Sequence, residues 1–174
     1  DTNGTSRERH KVGVVFVSPQ VCDKESVLSA ACGSTAFESF ADELGWLVDL
    51  ATHKGYTGLG KFAKSFAGSL PYFATASLEV CFHVASRLNP LDADAGGKLS
   101  MQRFRHVGND GVVVVWCEGG STSTELDGGP GGSGGRGDFD PLIAIPSKFT
   151  DVFIVIHPLA SEMFRVQIVW KSDA

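Results

Sequence analysis

Polar side chains that could contact another molecule are concentrated in residues 102–110, which read QRFRHVGND. If this stretch is helical, Gln102, Arg105, His106 and Asn109 lie on one side, because they are spaced i, i+3, i+4 and i+7. That side presents carboxamide, guanidinium and imidazole groups together. A carboxamide can both donate and accept hydrogen bonds, whereas a guanidinium only donates them. The spacing therefore predicts a hydrogen-bonding surface on one face of a helix.

The opposite side of the same helix is predicted to pack on a sheet. Met101, Phe104 and Val107 share that side, and Arg103 and Asp110 flank the polar face. A valine-rich run, VVVVWC, follows at residues 112–117 and is typical of a buried strand. The hydrogen-bonding surface is thus expected at the junction between a helix and a core strand.

Residue chemistry alone also allows a purely structural interpretation. Residues 109–111 (Asn-Asp-Gly) favour a turn between the helix and the strand, with Arg105 and His106 as solvated surface residues. Gly108 costs on the order of 1 kcal/mol of helix stability relative to alanine. It would be tolerated where the helix ends or where another backbone approaches closely. On these grounds alone, the structural interpretation is favoured over a functional site.

A metabolic enzyme is a further alternative, with His53, His83, His106 and Asp110 as candidates for acid–base chemistry. The chain contains no P-loop, no dinucleotide-binding fingerprint, no nucleophile elbow and no HExxH motif. The four cysteines form no CxxC pair, and no histidine spacing completes a zinc site, so no metal is predicted. These absences argue against an enzyme with its own small-molecule site.

The wider pattern predicts a single α/β (α+β) domain over residues 1–174, with a central mixed sheet flanked by helices. Predicted strands cover residues 12–17, 46–50, 70–76, 78–85 and 112–117, and a closing hairpin or adjacent strand pair covers 151–159 and 163–170. Predicted helices cover residues 23–31, 35–44 and 98–110. Loops are predicted at 52–62 and 88–97, a linker with a short extended piece at 139–149, and a flexible glycine-rich insertion at 128–137.

Composition limits the possible partners. The chain has 174 residues, 43% hydrophobic and 20% charged, which is typical of a globular protein. Its net charge of −5 argues against a general nucleic-acid-binding surface. Cys81 and Cys117 lie in apolar runs and are expected to pack as small hydrophobes. No apolar run reaches the length of a transmembrane segment and no signal peptide is visible, so a cytoplasmic protein is expected.

RHVGND at residues 105–110, followed by the valine-rich strand, resembles the signature of the Rap/Ral/tuberin family of GTPase-activating (GAP) domains. Other segments resemble that family in the same order along residues 11–170. They are VGVVFVSPQ, the Gly-Ser and phenylalanine pattern of residues 33–45, GYTGLG, VCFHVASRLNP and DVFIVIHPL. Phe104 departs from the pattern, because family members often carry a lysine at that position. The resemblance implies a Rap-GAP-like fold.

The resemblance also implies a function. Members of this family stimulate GTP hydrolysis by small GTPases, and they do so by inserting an asparagine, the asparagine thumb, into the partner's nucleotide site. Asn109 matches this residue, and its carboxamide would orient the attacking water. By the same comparison, the residues expected to support it or contact the partner are Gln102, Arg103, Arg105, His106, Gly108, Asp110, Tyr56 and Gly58.

The identity of the partner is less well defined. The tuberin-like branch is preferred, which implies Rheb, and the alternatives are a Ral- or Rap-directed GAP or a GTPase-binding module without catalytic function. The domain itself would need no cofactor, because GTP and Mg²⁺ belong to the GTPase. The resemblance further implies membership in a larger multi-subunit complex, recruited to an endomembrane surface through other parts of the protein.

Overall fold

The fold is built around a sheet of parallel, β-branched strands. The computed structural model describes residues 7–19, 23–49, 51–54, 66–90, 99–118, 139–159 and 162–171. At the centre, β1 (Glu8–Val17) lies parallel to both β5 (Leu78–Val84) and β7 (Val112–Cys117). β8 (Val152–Pro158) is parallel to β7. Residues 113–117 of β7 are all buried, as expected for a parallel strand covered on both faces.

Three antiparallel strands complete the sheet. They are β2 (Trp46–Asp49), β4 (Ser69–Ala74) and β9 (Phe164–Trp170), and the order across the seven strands is β2-β4-β5-β1-β7-β8-β9. A separate two-stranded sheet pairs β3 (Phe66–Ala67) with β6 (Asn89–Pro90). The predicted mixed sheet is confirmed, as is the hairpin formed by the last two strands. The small sheet was not predicted.

Helices lie on both faces of the sheet. They are α1 (Lys24–Ser29), α2 (Thr35–Glu43), α3 (Leu99–Val107) and α4 (Pro141–Ala144), and a single 3-10 turn follows β5 at residues 85–87. On one face, Phe37 and Phe40 of α2 pack on Trp116, with ring centroids 6.5 and 5.0 Å away. On the other face, Val107 at the end of α3 faces Gly13 of β1.

Two sequence predictions need correction. β1 begins four residues earlier than predicted, because the polar residues 8–11 pair with β5 despite their low strand propensity. The prediction of a linker with a short extended piece at residues 139–149 is wrong, because α4 forms there. Asp140 caps this helix by accepting a hydrogen bond from the Leu142 nitrogen, and Pro141 occupies its first turn. An aspartate followed by proline is a recognised helix start, so the sequence did contain this signal.

The cysteine prediction is confirmed for two positions. Cys81 and Cys117 are buried in the core, where they pack with the apolar side chains of the central strands. Burial, with a smaller contribution from the nearby Asp110 carboxylate, raises the pKa of the Cys81 thiol to about 12. The thiol is therefore protonated at neutral pH and unreactive as a nucleophile.

Candidate functional site

The candidate site is the turn that joins α3 to β7. The helix is formed by residues of good helix propensity and ends at Val107, immediately before Gly108 and Asn109. Asn109 is exposed, and its backbone nitrogen donates to the His106 carbonyl at 3.1 Å. Its side-chain amide donates to the Arg105 carbonyl. Because a carbonyl only accepts, this bond fixes the amide nitrogen toward the helix and turns the carboxamide oxygen away from it.

A second segment holds this turn from the side. The Ser147 hydroxyl donates to the Gly108 carbonyl, and the Thr150 hydroxyl donates to the Asp110 carbonyl at 2.9 Å. These are the carbonyls of the two residues that flank Asn109. The backbone nitrogen of Asp151 also donates to the Gly111 carbonyl at 2.9 Å. Asn109 therefore projects from a backbone that is hydrogen-bonded on both sides, which restricts its position.

Asp110 anchors the turn to the sheet. Its carboxylate is fully buried and accepts a hydrogen bond from Nδ1 of the buried His83 in β5, at 2.7 Å. Lys11 Nζ lies 4.0 Å from the other carboxylate oxygen. Burial raises the pKa of Asp110, while the hydrogen bond and charge of His83 and the charge of Lys11 oppose that shift. Asp110 thus ties the turn after α3 to β5 through His83.

His106 packs inside the domain rather than lying fully exposed. Its ring is partly buried and stands edge-on to Phe66, with centroids 4.9 Å apart, and to His83, 5.9 Å away. Burial, assisted by the positive charges of His83, Lys11 and Arg105, lowers the pKa of His106 to about 4. His106 is therefore neutral at physiological pH, and it cannot supply positive charge to a partner.

Arg103 corrects the predicted orientation of α3. Its side chain is only 1% exposed, whereas Met101, which was predicted to pack on the sheet, is 52% exposed. The guanidinium donates to the carbonyls of Leu28, Ala30, Ser86 and Leu88, at 2.7 to 3.3 Å, and to the side chain of Asn89 at 3.3 Å. Arg103 thus supports the domain by tying α3 to the end of α1 and to the turn after β5.

The remaining predicted site residues divide into three groups. Arg105 is exposed and Gln102 is partly exposed, so both remain available at the helix surface. Gly108 is buried, and a Cβ atom there would lie 2.7 Å from the Phe104 ring. The helix-end explanation for this glycine holds, because Gly108 follows Val107, whereas its close neighbour is Phe104 of the same helix rather than another backbone. Tyr56 and Gly58 lie outside the described residues, as does the glycine-rich stretch 128–137.

Gly13 contributes to the site but was not predicted to. A Cβ atom at this position of β1 would lie 2.9 Å from Val107 Cγ1 and 3.4 Å from the Val107 carbonyl oxygen. The glycine thus lets the last turn of α3 approach the sheet closely. A glycine inside the valine-rich run 12–17 was the available signal, because strand glycines often mark a close approach.

The arrangement suits positioning better than acid–base chemistry. His83 and Asp110 are buried, so they cannot reach a substrate in this conformation. Within the described ranges, no three His, Cys, Asp or Glu side chains are arranged to hold a metal ion. The same part of the chain has no helix long and apolar enough to cross a membrane. What the site presents outward is a neutral carboxamide on a fixed turn, with a guanidinium one turn earlier.

Comparison with known proteins identifies similar sequences and a similar fold. Residues 27–174 match the family model described as Rap/ran-GAP. Human Ral GTPase-activating protein subunit alpha-1 is 38% identical over 167 residues, which cover 96% of this chain and 7% of that protein. Mouse subunit alpha-2 is 36% identical, with 96% and 8% covered. The chain therefore spans less than a tenth of the length of these relatives.

A solved structure shows the same architecture. The structure of the TSC2 GAP domain matches this one with a TM-score of 0.70 and 25% sequence identity. The match covers 94% of this chain and 81% of that chain. The expected Rap-GAP-like fold is confirmed by this likeness together with the family match.

Proposed function

Because this chain belongs to the Rap/ran-GAP family, we propose that it stimulates GTP hydrolysis by a small GTPase and that Asn109 is the residue that acts on the nucleotide. The observation that carries this proposal is the presentation of Asn109. Its side chain is exposed on a turn whose flanking carbonyls are held by Ser147 and Thr150. A side chain that must enter a partner's site needs both this exposure and this fixed position.

The chemistry of a carboxamide fits this role. Transfer of a phosphoryl group to water depends mainly on positioning the water and on electrostatic stabilisation. With its amide nitrogen bonded to the Arg105 carbonyl, Asn109 keeps its carboxamide oxygen free to accept a hydrogen bond from the attacking water. The group is neutral, so it orients the nucleophile and does not neutralise developing charge.

Arg105 is proposed to contact the GTPase. It is exposed and lies one helical turn before Asn109, so it approaches the partner from the same side. His106 is neutral at physiological pH, which leaves Arg105 as the positive side chain in the last turn of α3. We propose that Arg105 contributes to association with the acidic surface around a bound nucleotide, and that His106 supports the helix internally.

The proposed partner is a Ral-type GTPase. The sequence analysis preferred Rheb, but identity to the human Ral GTPase-activating protein subunit alpha-1 is 38%, compared with 25% to the TSC2 GAP domain. Rheb and Rap remain alternatives that the same experiment tests. GTP and Mg²⁺ would be brought by the partner. The relatives are named as alpha subunits, which supports the expectation that the full polypeptide works in a larger assembly.

Single-turnover GTP hydrolysis tests the proposal. Ral, Rap and Rheb, each loaded with GTP, are mixed with the wild-type domain or with Asn109→Ala. Wild type is expected to accelerate hydrolysis by Ral most strongly. Asn109→Ala is expected to lower the stimulated rate by about 100-fold or more, as for other preorganised catalytic groups. Because Asn109 is exposed and its side chain makes one hydrogen bond inside the domain, unfolding stability should fall by no more than about 1 kcal/mol.

Gln167→Ala is the matched control, because it removes an exposed carboxamide from β9 and should leave the stimulated rate unchanged. Strong stimulation of GTP hydrolysis by Rheb alone would show that Rheb, rather than Ral, is the partner. Binding to a GTPase without any acceleration would support a non-catalytic binding module. Equal stimulation by wild type and Asn109→Ala would contradict the role of the asparagine.

A further inference from the structure

Phe149 is an exposed aromatic residue beside the candidate site. Its side chain is 64% exposed, although phenylalanine is usually buried. It lies between Ser147 and Thr150, the two residues whose hydroxyls bond to the carbonyls on either side of Asn109. The backbone nitrogen of Phe149 donates to the same Ser147 oxygen at 3.0 Å. Phe149 is therefore carried by the segment whose contacts hold the turn around Asn109.

The segment that carries Phe149 is held in place at several points. Thr150 is fully buried, and its backbone nitrogen donates to the Ser147 hydroxyl at 3.1 Å. Lys171 Nζ, at the end of β9, donates to the carbonyls of Ser147 and Lys148 at 3.0 and 3.3 Å. The ring is thus displayed by a fixed backbone, which lowers the entropy cost of using it in an interface.

We propose that Phe149 is an affinity-determining contact with the GTP-bound small GTPase, against which its ring packs at an apolar patch beside the nucleotide site. This inference rests on the proposed function. A partner whose nucleotide site receives Asn109 must lie against the surface that immediately surrounds that residue. Aromatic side chains, phenylalanine included, are enriched in the cores of interfaces and contribute much of their energy.

The proposal separates two roles within a few residues. Asn109 acts on the reacting water, so its removal lowers the maximal rate. Phe149 contributes to association equally in the ground state and the transition state, so its removal raises the concentration needed for half-maximal stimulation. A substitution that displaced Asn109 would instead lower the maximal rate.

The test measures single-turnover hydrolysis by GTP-loaded Ral as the domain concentration is raised. For Phe149→Ser, we expect the half-saturating concentration to rise by about tenfold or more, with the maximal rate within about twofold of wild type. Phe164→Ser is the matched control. Phe164 is 55% exposed but pairs with Pro158 at the opposite end of β8 and β9, away from Asn109. Phe164→Ser should leave the half-saturating concentration and the maximal rate unchanged. Thermal unfolding checks that each variant is folded.

Binding to Ral loaded with a non-hydrolysable GTP analogue separates this inference from the proposed function. Weaker binding of Phe149→Ser supports the contact even if no acceleration is found, in which case only the catalytic role fails. Unchanged binding and half-saturation for folded Phe149→Ser, with wild type active, overturn the contact and leave the catalytic role intact. If wild type neither binds Ral, Rap or Rheb nor accelerates their GTP hydrolysis, both the proposed function and the Phe149 contact are overturned.

Discussion

Exposed and buried polar residues alternate closely around the end of α3. Asn109 and Arg105 are exposed, whereas Arg103 and Asp110 are buried and bonded inside the domain. The alternation follows from helical geometry, which turns neighbouring residues toward different surroundings. Residues of similar chemistry therefore have different roles. The exposed pair is available to a partner, and the buried pair fixes the helix and the turn that present it.

The protonation of His106 is a direct test at the scale of one residue. Its pKa is lowered to about 4, mainly by burial and then by the charge of His83. In the unfolded chain a histidine titrates near 6.5. An NMR titration of the imidazole resonances is expected to show a midpoint near 4. A midpoint close to 6.5 would contradict the proposed burial of the ring.

The same shift predicts a dependence of stability on pH. Between about pH 4 and 6.5 the unfolded state binds a proton at this position and the folded state does not, so stability falls as pH is lowered through that window. Since the ring is partly accessible, the loss should be on the order of 1–2 kcal/mol. Urea unfolding at several pH values, compared with His106→Gln, isolates this contribution, because the variant lacks the titrating group.

At the scale of elements, α3 is placed by contacts with distant segments rather than by its own sequence pattern. Arg103 joins it to the end of α1 and to the turn after β5, and Gly13 admits its last turn against β1. The buried guanidinium donates hydrogen bonds to four backbone carbonyls. Buried carbonyls need such partners, so these bonds hold the helix in place. The orientation of the helix, and with it the direction of Asn109, depends on this residue.

Arg103→Lys tests this dependence while retaining the charge. A lysine has three donors on one atom and cannot reproduce the planar set of bonds, so buried carbonyls lose their partners. The free energy of unfolding is expected to fall by about 3 kcal/mol or more. Arg105→Lys, two positions along the same helix but exposed, should change it by less than about 0.5 kcal/mol. Denaturant unfolding of both variants provides the measurement. Equal effects of the two substitutions would show that the buried bonds contribute little.

At the scale of the whole molecule, the two faces of the sheet are covered unequally. The helices cover the central strands, whereas β9 leaves Val166, Ile168 and Trp170 at least half exposed on one face. β9 is also the edge strand of the sheet. Exposed apolar residues on an edge strand favour association with other chains. This surface is apolar, whereas the turn that carries Asn109 is polar.

Ile168→Lys is expected to reduce self-association of the domain without unfolding it. Since Ile168 is 50% exposed, its replacement should cost no more than about 1 kcal/mol, and a lysine on an edge strand opposes strand pairing. Sedimentation velocity at high protein concentration should show less self-association than wild type. Gln167→Lys adds the same charge on the other face of the strand and should have a smaller effect. If the two variants reduced self-association equally, the change in net charge alone would explain the effect.

The sequence by itself determined the main elements and the position of the candidate residue. Apolar periodicity and β-branched runs predicted the central strands and the final hairpin, because these signals depend on neighbours along the chain. RHVGND and its companion segments led to a family resemblance that the comparisons confirm. The role of Asn109 follows from that resemblance, and it stays a prediction until hydrolysis is measured.

Only the tertiary structure decided which polar residues are buried and which are exposed to a partner. Arg103, His83 and Asp110 are buried because distant segments supply their partners, and no local pattern encodes those partners. The hydroxyls of Ser147 and Thr150 reach the turn around Asn109 from about 40 residues away along the chain. Phe149, which is exposed, is carried by the same segment. Propensity is a property of neighbouring residues, whereas burial and hydrogen-bond partners depend on which remote segments the fold brings together.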